Sequence, residues 1–542
     1  MQRRDLLRMA GAGVAVAAPV AAMALDTRIA AGTQVGQAAG WLSVRQFGAK
    51  GDGVAIDSPA INRAIEAAAA VGGGTVLFPA GEYLSYSVHL KSKVGLYLDQ
   101  GAVLRAAPSP DGGSTSGGYD VAEAQGAWEP YQDFGHNHWH NSLIWGEGLD
   151  DIAITGAGLI WGDGLSRSSK TRNGAIDTGQ FGIGNKSIAL KNCRNVLLRD
   201  FKILQGGWSG ILATGVDNLT IDNLIIDTKR DGMDIDCCRN VRISNCTVNS
   251  PFDDGICLKS SYALGFARPT ENVTITNCYV TGGYMLGSVL DGTWKPVTGP
   301  RLTTGRIKMG TESNGGFRNI TVSNCVFESC QGFAVESEDG ALVEDITFTG
   351  ITMRDIRSSP LFLRLGTRMR GPSDAKPGVM RRIILSNITG SSASQLPSIL
   401  SGVPGYLIED IKISDMFLEN LGGAGGEMAA LLPEEKATAY PDPRMFGDLP
   451  ATGFFVRHVR NLEMSNVEIA TQAADVRPAF WLEDVVNADL FRVRVPKGAA
   501  PAFDLRQVKE FRSFGSRHLA DVVLDSVEAR KIYGAAGKSM FR

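Results

Sequence analysis

Residues 240–245 read Asn-Val-Arg-Ile-Ser-Asn, and nearly the same six residues return at 272–277 (Asn-Val-Thr-Ile-Thr-Asn) and 319–324 (Asn-Ile-Thr-Val-Ser-Asn). Each copy starts at a turn-forming residue and then alternates apolar with polar residues, as a half-buried strand does. Further copies begin at Asp151, Asn195, Asn218, Asp345, Asp410 and Asn461. Several of the spacings lie between 22 and 32 residues, which indicates a structural repeat along most of the chain.

The repeat predicts an all-β fold, a single right-handed parallel β-helix. Each unit holds only short Val-, Ile- and Thr-rich strands, and no helical periodicity separates them, which disfavours a TIM barrel. A sandwich or propeller also has short strands, but asparagine at fixed offsets better fits coils that bury their apolar side chains by stacking. A solenoid needs a cap, and residues 58–71 (SPAINRAIEAAAAV) predict a short N-terminal capping helix.

The eight cysteines follow the same repeat. Cys246, Cys278 and Cys325 each stand six residues after the start of a similar unit. Equivalent positions in stacked coils form a ladder of small buried side chains, a role that suits free thiols. We therefore expect free structural cysteines rather than disulfide bonds, and no cysteine has metal-ligand spacing.

Composition restricts the class of partner. Of 542 residues, 44% are hydrophobic and 20% charged, and the formal net charge is -3, which predicts a large core and an ordered chain. The sequence has no basic block, which argues against nucleic acid as a partner. A net charge of -3 also provides no overall electrostatic attraction for a polyanion.

The N-terminus predicts export. Arg3-Arg4 precedes an Ala/Gly/Val-rich run over residues 9–24 that closes with Ala22-Met23-Ala24, an A-x-A type of cleavage site. The paired arginines resemble a twin-arginine signal, and an ordinary secretory signal is the alternative. We predict a signal peptide over residues 1–24, a linker over 25–43 and the catalytic β-helix over 44–542. The mature protein would be periplasmic or secreted, with no membrane association.

Two neighbouring units carry the candidate chemistry. Asp231-Gly232 and Asp253-Asp254-Gly255 are 23 residues apart, about one coil, so their backbones would stack at roughly 4.7–4.9 Å. Glycosidases flank the scissile bond with two carboxyl groups, about 6.5–9.5 Å apart in inverting enzymes, and side chains splayed from adjacent coils can reach that separation. Crowding also raises the pKa of one carboxyl group, which can then act as the acid. An Asp-Gly pair alone is a turn signal, and Asp234 is either a supporting or a structural residue.

The N-terminal part resembles a known family. The segments FGAKGDG (47–53), DSPAINRAIEAA (57–68) and GGGTVLFPAGEYLSYSVHLKSKVGLYLDQGAVL (72–104) are similar to the opening of glycoside hydrolase family 28, the polygalacturonases and rhamnogalacturonases. The similarity extends over roughly residues 44 to 490, and the opening motif is shared with other pectate-lyase-like β-helix families.

The resemblance implies inverting hydrolysis of a pectic polysaccharide or oligosaccharide, uronate-containing, by a monomer that needs no cofactor and no metal. Asp253 would be the general acid, and Asp231 and Asp254 would hold the attacking water. Lys259 would be a substrate ligand, with a solvated lysine at a coil edge as the alternative.

The chain departs from the family pattern after the aspartate pair. The family's Gly-His-Gly motif is absent, and residues 281–288 (TGGYMLGS) are the nearest stretch. Arg306-Ile307-Lys308 spells the family's substrate-gripping motif, either in its true register or in the coil that normally carries the histidine. In the second register, which the coil count favours, Ala334 and Glu336 would replace the two bases. Arg306 and Lys308 would still be substrate-binding candidates.

Two further segments are candidates for the binding site. Residues 134–140 (FGHNHWH) contain His136, His138, Trp139 and His140, and alternation on a strand would place the three histidines on one side. We expect a polar and aromatic wall for sugar rings, with a metal site or a plain surface loop as alternatives. Residues 440–447 are an irregular Pro-rich stretch, and a loop there that blocked one end of a cleft would favour exo attack.

Two other functions remain open on sequence grounds. A polysaccharide lyase on the same fold would hold calcium with Asp231, Asp253 and Asp254 and use Arg306 or Lys308 as the base. A non-catalytic carbohydrate-binding β-helix would bind sugar without turnover.

Overall fold

A computed structural model describes residues 41–110, 118–124, 126–166, 183–299, 303–498 and 500–534. The predicted signal peptide (1–24), residues 25–40 of the predicted linker and residues 535–542 lie outside this range. The end of the predicted linker is wrong, because Trp41–Ser43 form a strand that pairs in parallel with Gly74–Phe78. Within the described residues, no helix has the length and apolar character needed to cross a membrane.

Strands make up most of the described chain. In chain order the strands are β1 (Trp41–Ser43), β2 (Asp52–Ile56), β3 (Gly74–Phe78), β4 (Gly81–Ser85), β5 (Val88–His89), β6 (Val94–Leu98), β7 (Ala102–Ala106), β8 (Ser142–Glu147), β9 (Asp150–Thr155), β10 (Leu159–Trp161), β11 (Lys186–Lys191), β12 (Arg194–Arg199), β13 (Lys202–Leu204), β14 (Ser209–Thr214), β15 (Asp217–Asp222), β16 (Ile225–Asp227), β17 (Asp231–Asp236), β18 (Arg239–Ser244), β19 (Thr247–Asn249), β20 (Ile256–Ser260), β21 (Thr270–Thr276), β22 (Tyr279–Thr281), β23 (Ile307–Ser313), β24 (Phe317–Ser323), β25 (Val326–Glu328), β26 (Phe333–Ser337), β27 (Leu342–Ile356), β28 (Leu361–Leu365), β29 (Val379–Ser392), β30 (Ser398–Ser401), β31 (Ile408–Gly422), β32 (Phe454–Ala473), β33 (Phe480–Phe491), β34 (Pro501–Phe514) and β35 (Val522–Tyr533). The α-helices of the described chain are α1 (Ser58–Ala70) and the short α2 (Gly426–Ala429). Single 3-10 turns lie at Val44–Phe47, Glu129–Tyr131, Phe134–His136 and Pro443–Phe446.

The strands stack in three parallel columns around one apolar interior. One column, the site sheet, runs through β5, β8, β11, β14, β17, β20, β23, β26, β28 and β30 into the starts of β32, β33 and β34. From β27 onward a single long strand often serves two columns of a coil. The antiparallel pairing of β34 with β35 ends the described solenoid. The predicted parallel β-helix is confirmed.

The repeated asparagines form a ladder along one corner of the solenoid. Asn218, Asn240 and Asn272 all adopt the left-handed conformation, with φ of 58°, 59° and 58°. The Asn240 amide donates to Asn218 Oδ1 at 3.1 Å, and Asn272 donates to Asn240 Oδ1 at 3.0 Å. Asparagine tolerates this conformation better than most residues, which explains why it recurs at this turn.

We expect Asn240→Ala to lower the free energy of unfolding by about 1–3 kcal/mol, because alanine is strained at this φ and loses two ladder hydrogen bonds. Asn240→Gly removes the same hydrogen bonds but tolerates the turn, so it should be the less damaging of the two. Chemical denaturation measures both values. Equal stability of wild type and Asn240→Ala would contradict a structural role for the ladder.

All eight cysteines are free and buried, as predicted. Cys246, Cys278 and Cys325 lie in successive coils and belong to the main apolar core. They therefore act as small interior side chains.

The predicted capping helix is confirmed as α1, which begins at Ser58 with Pro59 in its first turn. Its apolar stripe, which includes Ile61, Ala64 and Ile65, is fully buried and belongs to the main core. The helix therefore covers interior side chains of the first coils.

Candidate active site

Three aspartates meet on the outer face of the site sheet. Asp231 is the first residue of β17, and Asp253 and Asp254 lie in the turn that precedes β20. Because β17 pairs in parallel with β20, Asp231 lies in one coil and the Asp253-Asp254 pair lies in the next. One carboxylate oxygen from each residue lies within 4.8 Å of the others.

Asp254 is held as a carboxylate. Arg306 Nε donates to Asp254 Oδ1 at 2.9 Å, and Lys308 Nζ lies 3.5 Å from Asp254 Oδ2. Burial opposes ionisation of this group, but the positive charges of Lys308 and Arg306 outweigh burial and lower its pKa to about 2. Asp254 is therefore negatively charged at neutral pH.

Asp253 has the opposite electrostatic environment. Its side chain is 30% exposed, and Arg230 Nη2 lies 3.0 Å from Asp253 Oδ2. Loss of hydration and the neighbouring charge of Asp231 raise its pKa to about 7, although Arg230 acts in the other direction. Two adjacent residues of the same type therefore differ in protonation near neutral pH, which is the property that an acid and base pair requires.

Lys259, on β20 directly after the aspartate pair, belongs to a buried ion-pair network. Its Nζ is 3.3 Å from Glu312 Oε2 and 3.6 Å from Asp234 Oδ1. Burial and the charge of Asp231 raise the pKa of Asp234 to about 6. The sequence did not separate a solvated coil-edge lysine from a ligand, and the solvated alternative is wrong, because Lys259 is only 4% exposed.

His136 reaches the site from a distant segment. Its Nδ1 lies 3.0 Å from Glu312 Oε1, and its Nε2 lies 3.8 Å from Asp231 Oδ2. Burial and Lys259 oppose protonation of the ring, but Glu312 and Asp231 outweigh them and raise the pKa of His136 to about 10. His136 is therefore an imidazolium beside Asp231 at neutral pH.

The predicted strand over the histidine cluster is wrong. Phe134–His136 form a 3-10 helix, and no strand begins until Ser142. The backbone N–H groups of Trp139 and His140 donate to the Glu123 carboxylate instead of to a neighbouring strand. The three histidines therefore do not share one side of a strand.

The other members of the cluster have separate environments. His138 Nε2 lies 3.4 Å from Glu129 Oε1, and His140 Nε2 lies 3.0 Å from Glu147 Oε2. Trp139 is 2% exposed, and its Nε1 donates to Thr214 Oγ1 at 3.1 Å. The expected sugar-stacking wall is therefore not present at Trp139, because its ring is covered.

Arg306 and Lys308 belong to the coil directly after the aspartate pair. Strand β23 pairs with β20, with Lys308 opposite Cys257. In the next coil, Ala334 stands opposite Lys308, and Glu336 Oε2 lies 3.5 Å from Lys308 Nζ. Both registers of the Arg-Ile-Lys motif put these two residues in the coil after the aspartate pair, so the choice of the second register stays a prediction. Each of the two cations therefore contacts two carboxylates.

Glu312 and Arg370 are site residues that the sequence reasoning missed. Arg370 Nη2 donates to Glu312 Oε1 at 2.9 Å. Glu312 stands four residues after Lys308 on β23. Since every second residue of a strand lies on the same face, the sequence could have placed Glu312 beside Lys308. Arg370 lies outside the strands, and no sequence signal identifies it.

Several groups of side chains have the composition of a metal site. Asp231, Asp253 and Asp254 offer clustered oxygens, and Glu123, His140 and Glu147 form a second group within 4.8 Å. In the first group Asp254 is already neutralised by two cations, and in the second Lys191 Nζ lies 3.0 Å from Glu147 Oε1. Ion pairing within the chain thus satisfies much of the charge in both groups.

We expect Glu312→Gln to lower the pKa of His136 toward its ordinary value of about 6.5, because Glu312 is its nearest anion. The substitution should also cost about 3–5 kcal/mol of unfolding free energy, since it removes one partner of a buried ion-pair network. An NMR titration of the His136 ring and a denaturation curve measure the two effects. A ring that still titrates near 10 would contradict this account of the network.

The chain matches models of known protein families. A family model described as "Right handed beta helix region" matches residues 187–358, and one described as "Rhamnogalacturonase A/epimerase, pectate lyase-like" matches residues 41–142. The family 28 exopolygalacturonase of Yersinia enterocolitica superposes with a TM-score of 0.61 at 19% identity, over 84% of this chain and 78% of that chain. The fold is the right-handed β-helix of the polygalacturonases. The predicted handedness and fold class are therefore confirmed.

Two further polygalacturonases are similar to this chain, one in structure and one in sequence. A hyperthermoactive exopolygalacturonase from Thermotoga maritima matches with a TM-score of 0.57 at 18% identity, over 79% of this chain and 91% of that chain. A probable polygalacturonase from Vitis vinifera is 25% identical over 350 residues, which are 58% of this chain and 61% of the relative. The chain thus spans less than two thirds of the Vitis protein. The resemblance to glycoside hydrolase family 28 is confirmed as a resemblance.

Proposed function

We propose that this protein is a family 28-type glycoside hydrolase that cleaves glycosidic bonds in pectic polysaccharide or oligosaccharide without a cofactor. The observation that carries the proposal is the meeting of Asp231, Asp253 and Asp254, with one carboxylate oxygen from each within 4.8 Å of the others and with Arg306 and Lys308 on Asp254. The opposite pKa shifts of Asp253, to about 7, and of Asp254, to about 2, support it. A protonated acid beside an ionised base is what glycoside hydrolysis requires.

In the proposed reaction, Asp253 donates its proton to the glycosidic oxygen as the bond to the anomeric carbon breaks. A water molecule held by Asp231 and Asp254 attacks that carbon and gives up a proton to this carboxylate pair. The carboxylate spacing alone would also suit a retaining enzyme. Both Asp254 oxygens face cations, which favours water over Asp254 as the nucleophile and so favours inversion. NMR of the first-formed anomer tests this step, and retention would contradict it.

The proposed substrate is a uronate-containing pectic chain, because the similar proteins are polygalacturonases. Lys259, Arg306 and Lys308 remain the substrate-binding candidates, together with His136, which faces Asp231. We propose that the enzyme acts as a monomer.

The experiment that tests this function offers purified protein homogalacturonan, rhamnogalacturonan and their oligosaccharides, with and without a chelator. The expected result is saturated products with new reducing ends at a rate that the chelator does not change. Unsaturated, ultraviolet-absorbing products lost on chelation would identify a calcium lyase instead. Binding without any product would identify a carbohydrate-binding β-helix.

We further propose that the protein is exported to the periplasm by a twin-arginine signal, which rests on Arg3-Arg4 and the apolar run that follows. Cell fractionation of wild type and an Arg3→Lys, Arg4→Lys variant tests this. The variant should stay in the cytoplasm, and unchanged export would point to an ordinary secretory signal.

A further inference from the structure

The outer face of the site sheet is covered beyond the catalytic coils. From β26 to β33, outward side chains form a second apolar cluster, separate from the interior core. Its members on the sheet are Ala334, Phe362, Ile399, Phe455 and Trp481, all fully buried. They pack against Phe446, Leu449 and Ala451, which belong to residues 433–451, here called the C-terminal flap.

Two buried arginines fix this flap to the sheet. Arg364 Nη2 donates to the Lys436 carbonyl at 3.0 Å, and Arg457 Nη2 donates to the Pro433 carbonyl at 2.9 Å. Both arginines are at most 3% exposed. Charge-assisted hydrogen bonds at buried sites are strong, so the flap is a built part of the fold.

The C-terminal flap stops next to the catalytic coils, where Tyr440 meets residues of β23. The Thr311 hydroxyl lies 3.2 Å from the Tyr440 hydroxyl, and Lys308 Nζ lies 5.8 Å from the Tyr440 ring centroid. The Tyr440 side chain is 60% exposed, although its neighbours on the sheet are buried. An exposed aromatic ring at this place offers an apolar face to a sugar ring.

The opposite end of the face is covered as well. Residues 129–141, here called the N-terminal flap, place Trp139 against Ala189 of β11 and Leu212 of β14. Lys191 Nζ lies 4.4 Å from the Trp139 ring. Ala189 and Leu212 are therefore fully buried against Trp139.

His136 of the N-terminal flap also reaches Asp231 of β17 and Glu312 of β23. Between Trp139, which packs on β14, and the apolar cluster under the C-terminal flap, which begins at β26, lie the three coils of β17, β20 and β23. At a strand spacing of 4.7–4.9 Å they span about 10 Å, roughly the length of a disaccharide. We propose that the site is a pocket closed at both ends, which takes the terminal sugars of a chain or a short oligosaccharide and not an internal stretch of polymer. Tyr440 is the platform at its C-terminal side.

This inference rests on the proposed glycosidase function, so the first test uses binding and does not need turnover. Calorimetry with Asp253→Asn protein and oligogalacturonides of two to six residues should show affinity that levels off by the trisaccharide. Affinity that keeps rising to the hexasaccharide would overturn the pocket. Absence of binding at every length would overturn both the pocket and the uronate substrate.

A second test uses the active enzyme on polymer and on a free trisaccharide. A closed pocket predicts one product size from the earliest time, slow loss of viscosity and efficient cleavage of the trisaccharide. A ladder of product sizes with rapid loss of viscosity would overturn the inference and leave the hydrolase function standing. If neither the polymer nor the trisaccharide gave saturated products, the proposed hydrolase function would be contradicted.

Tyr440→Ala should weaken trisaccharide binding about three- to tenfold, the effect of losing one aromatic contact. Tyr406→Ala is the matched control, because Tyr406 is also exposed but lies outside the flaps. Equal affinity of the two variants would overturn the role of Tyr440.

Discussion

Asp253→Asn should lower the rate of hydrolysis about 10²–10⁴-fold, the usual contribution of a general acid. Asparagine keeps the size of the side chain but has no proton to give to the leaving oxygen. Initial rates of reducing-end formation measure the effect. A loss of less than tenfold would remove Asp253 from the acid role.

The matched control is Asp410→Asn. Asp410 occupies the ladder position where other coils carry asparagine, and its Oδ1 accepts a hydrogen bond from Asn461 at 2.8 Å. The control removes one carboxylate from the same solenoid but should leave activity unchanged.

The acid role of Asp253 also fixes the direction of the pH profile. Asp253 acts when protonated, and its pKa is about 7, so kcat/KM should fall as the pH rises through that value. Arg230 lowers this pKa, so Arg230→Gln should move the basic limb to higher pH. Lys229→Gln, which removes the same charge one residue away, should leave the limb in place.

Asp254→Asn should also lower activity about 10²–10⁴-fold, because it removes a base that positions the attacking water. The fold should persist, since Arg306 and Lys308 keep Glu336 as a partner. The charge of Asp254 raises the pKa of Asp253. The remaining activity of the variant should therefore fall with rising pH at a lower pH than the activity of the wild type does.

Rates and pH profiles of Asp254→Asn beside Asp410→Asn measure this second prediction. A shift of the basic limb to higher pH would contradict the assigned coupling between the two aspartates. Activity within tenfold of the wild type would show that Asp254 is not needed to activate water.

The sequence predicted the features that repeat from coil to coil. Asn240 and Cys278 recur at fixed offsets because each coil stacks on the previous one, so a corner or an interior position returns with every turn. The same stacking brings Asp231 next to Asp254. Their exact approach depends on the turn before β20, which does not repeat from coil to coil.

The features that do not repeat were harder to predict. Residues 134–141 have strand-like alternation, but their backbone is bound by the Glu123 carboxylate, so they form a covering segment. Arg370 reaches Glu312 from an irregular segment 58 residues along the chain. Such contacts depend on how long segments fold back over the solenoid, and local patterns carry no information on that.

The most direct test of the central claim is hydrolysis in ¹⁸O-labelled water, followed by mass spectrometry of the first products. Hydrolysis driven by Asp253 and the water between Asp231 and Asp254 predicts one ¹⁸O atom at each new reducing end, and no product from Asp253→Asn. An unlabelled, unsaturated product, or full activity in the variant, would contradict it.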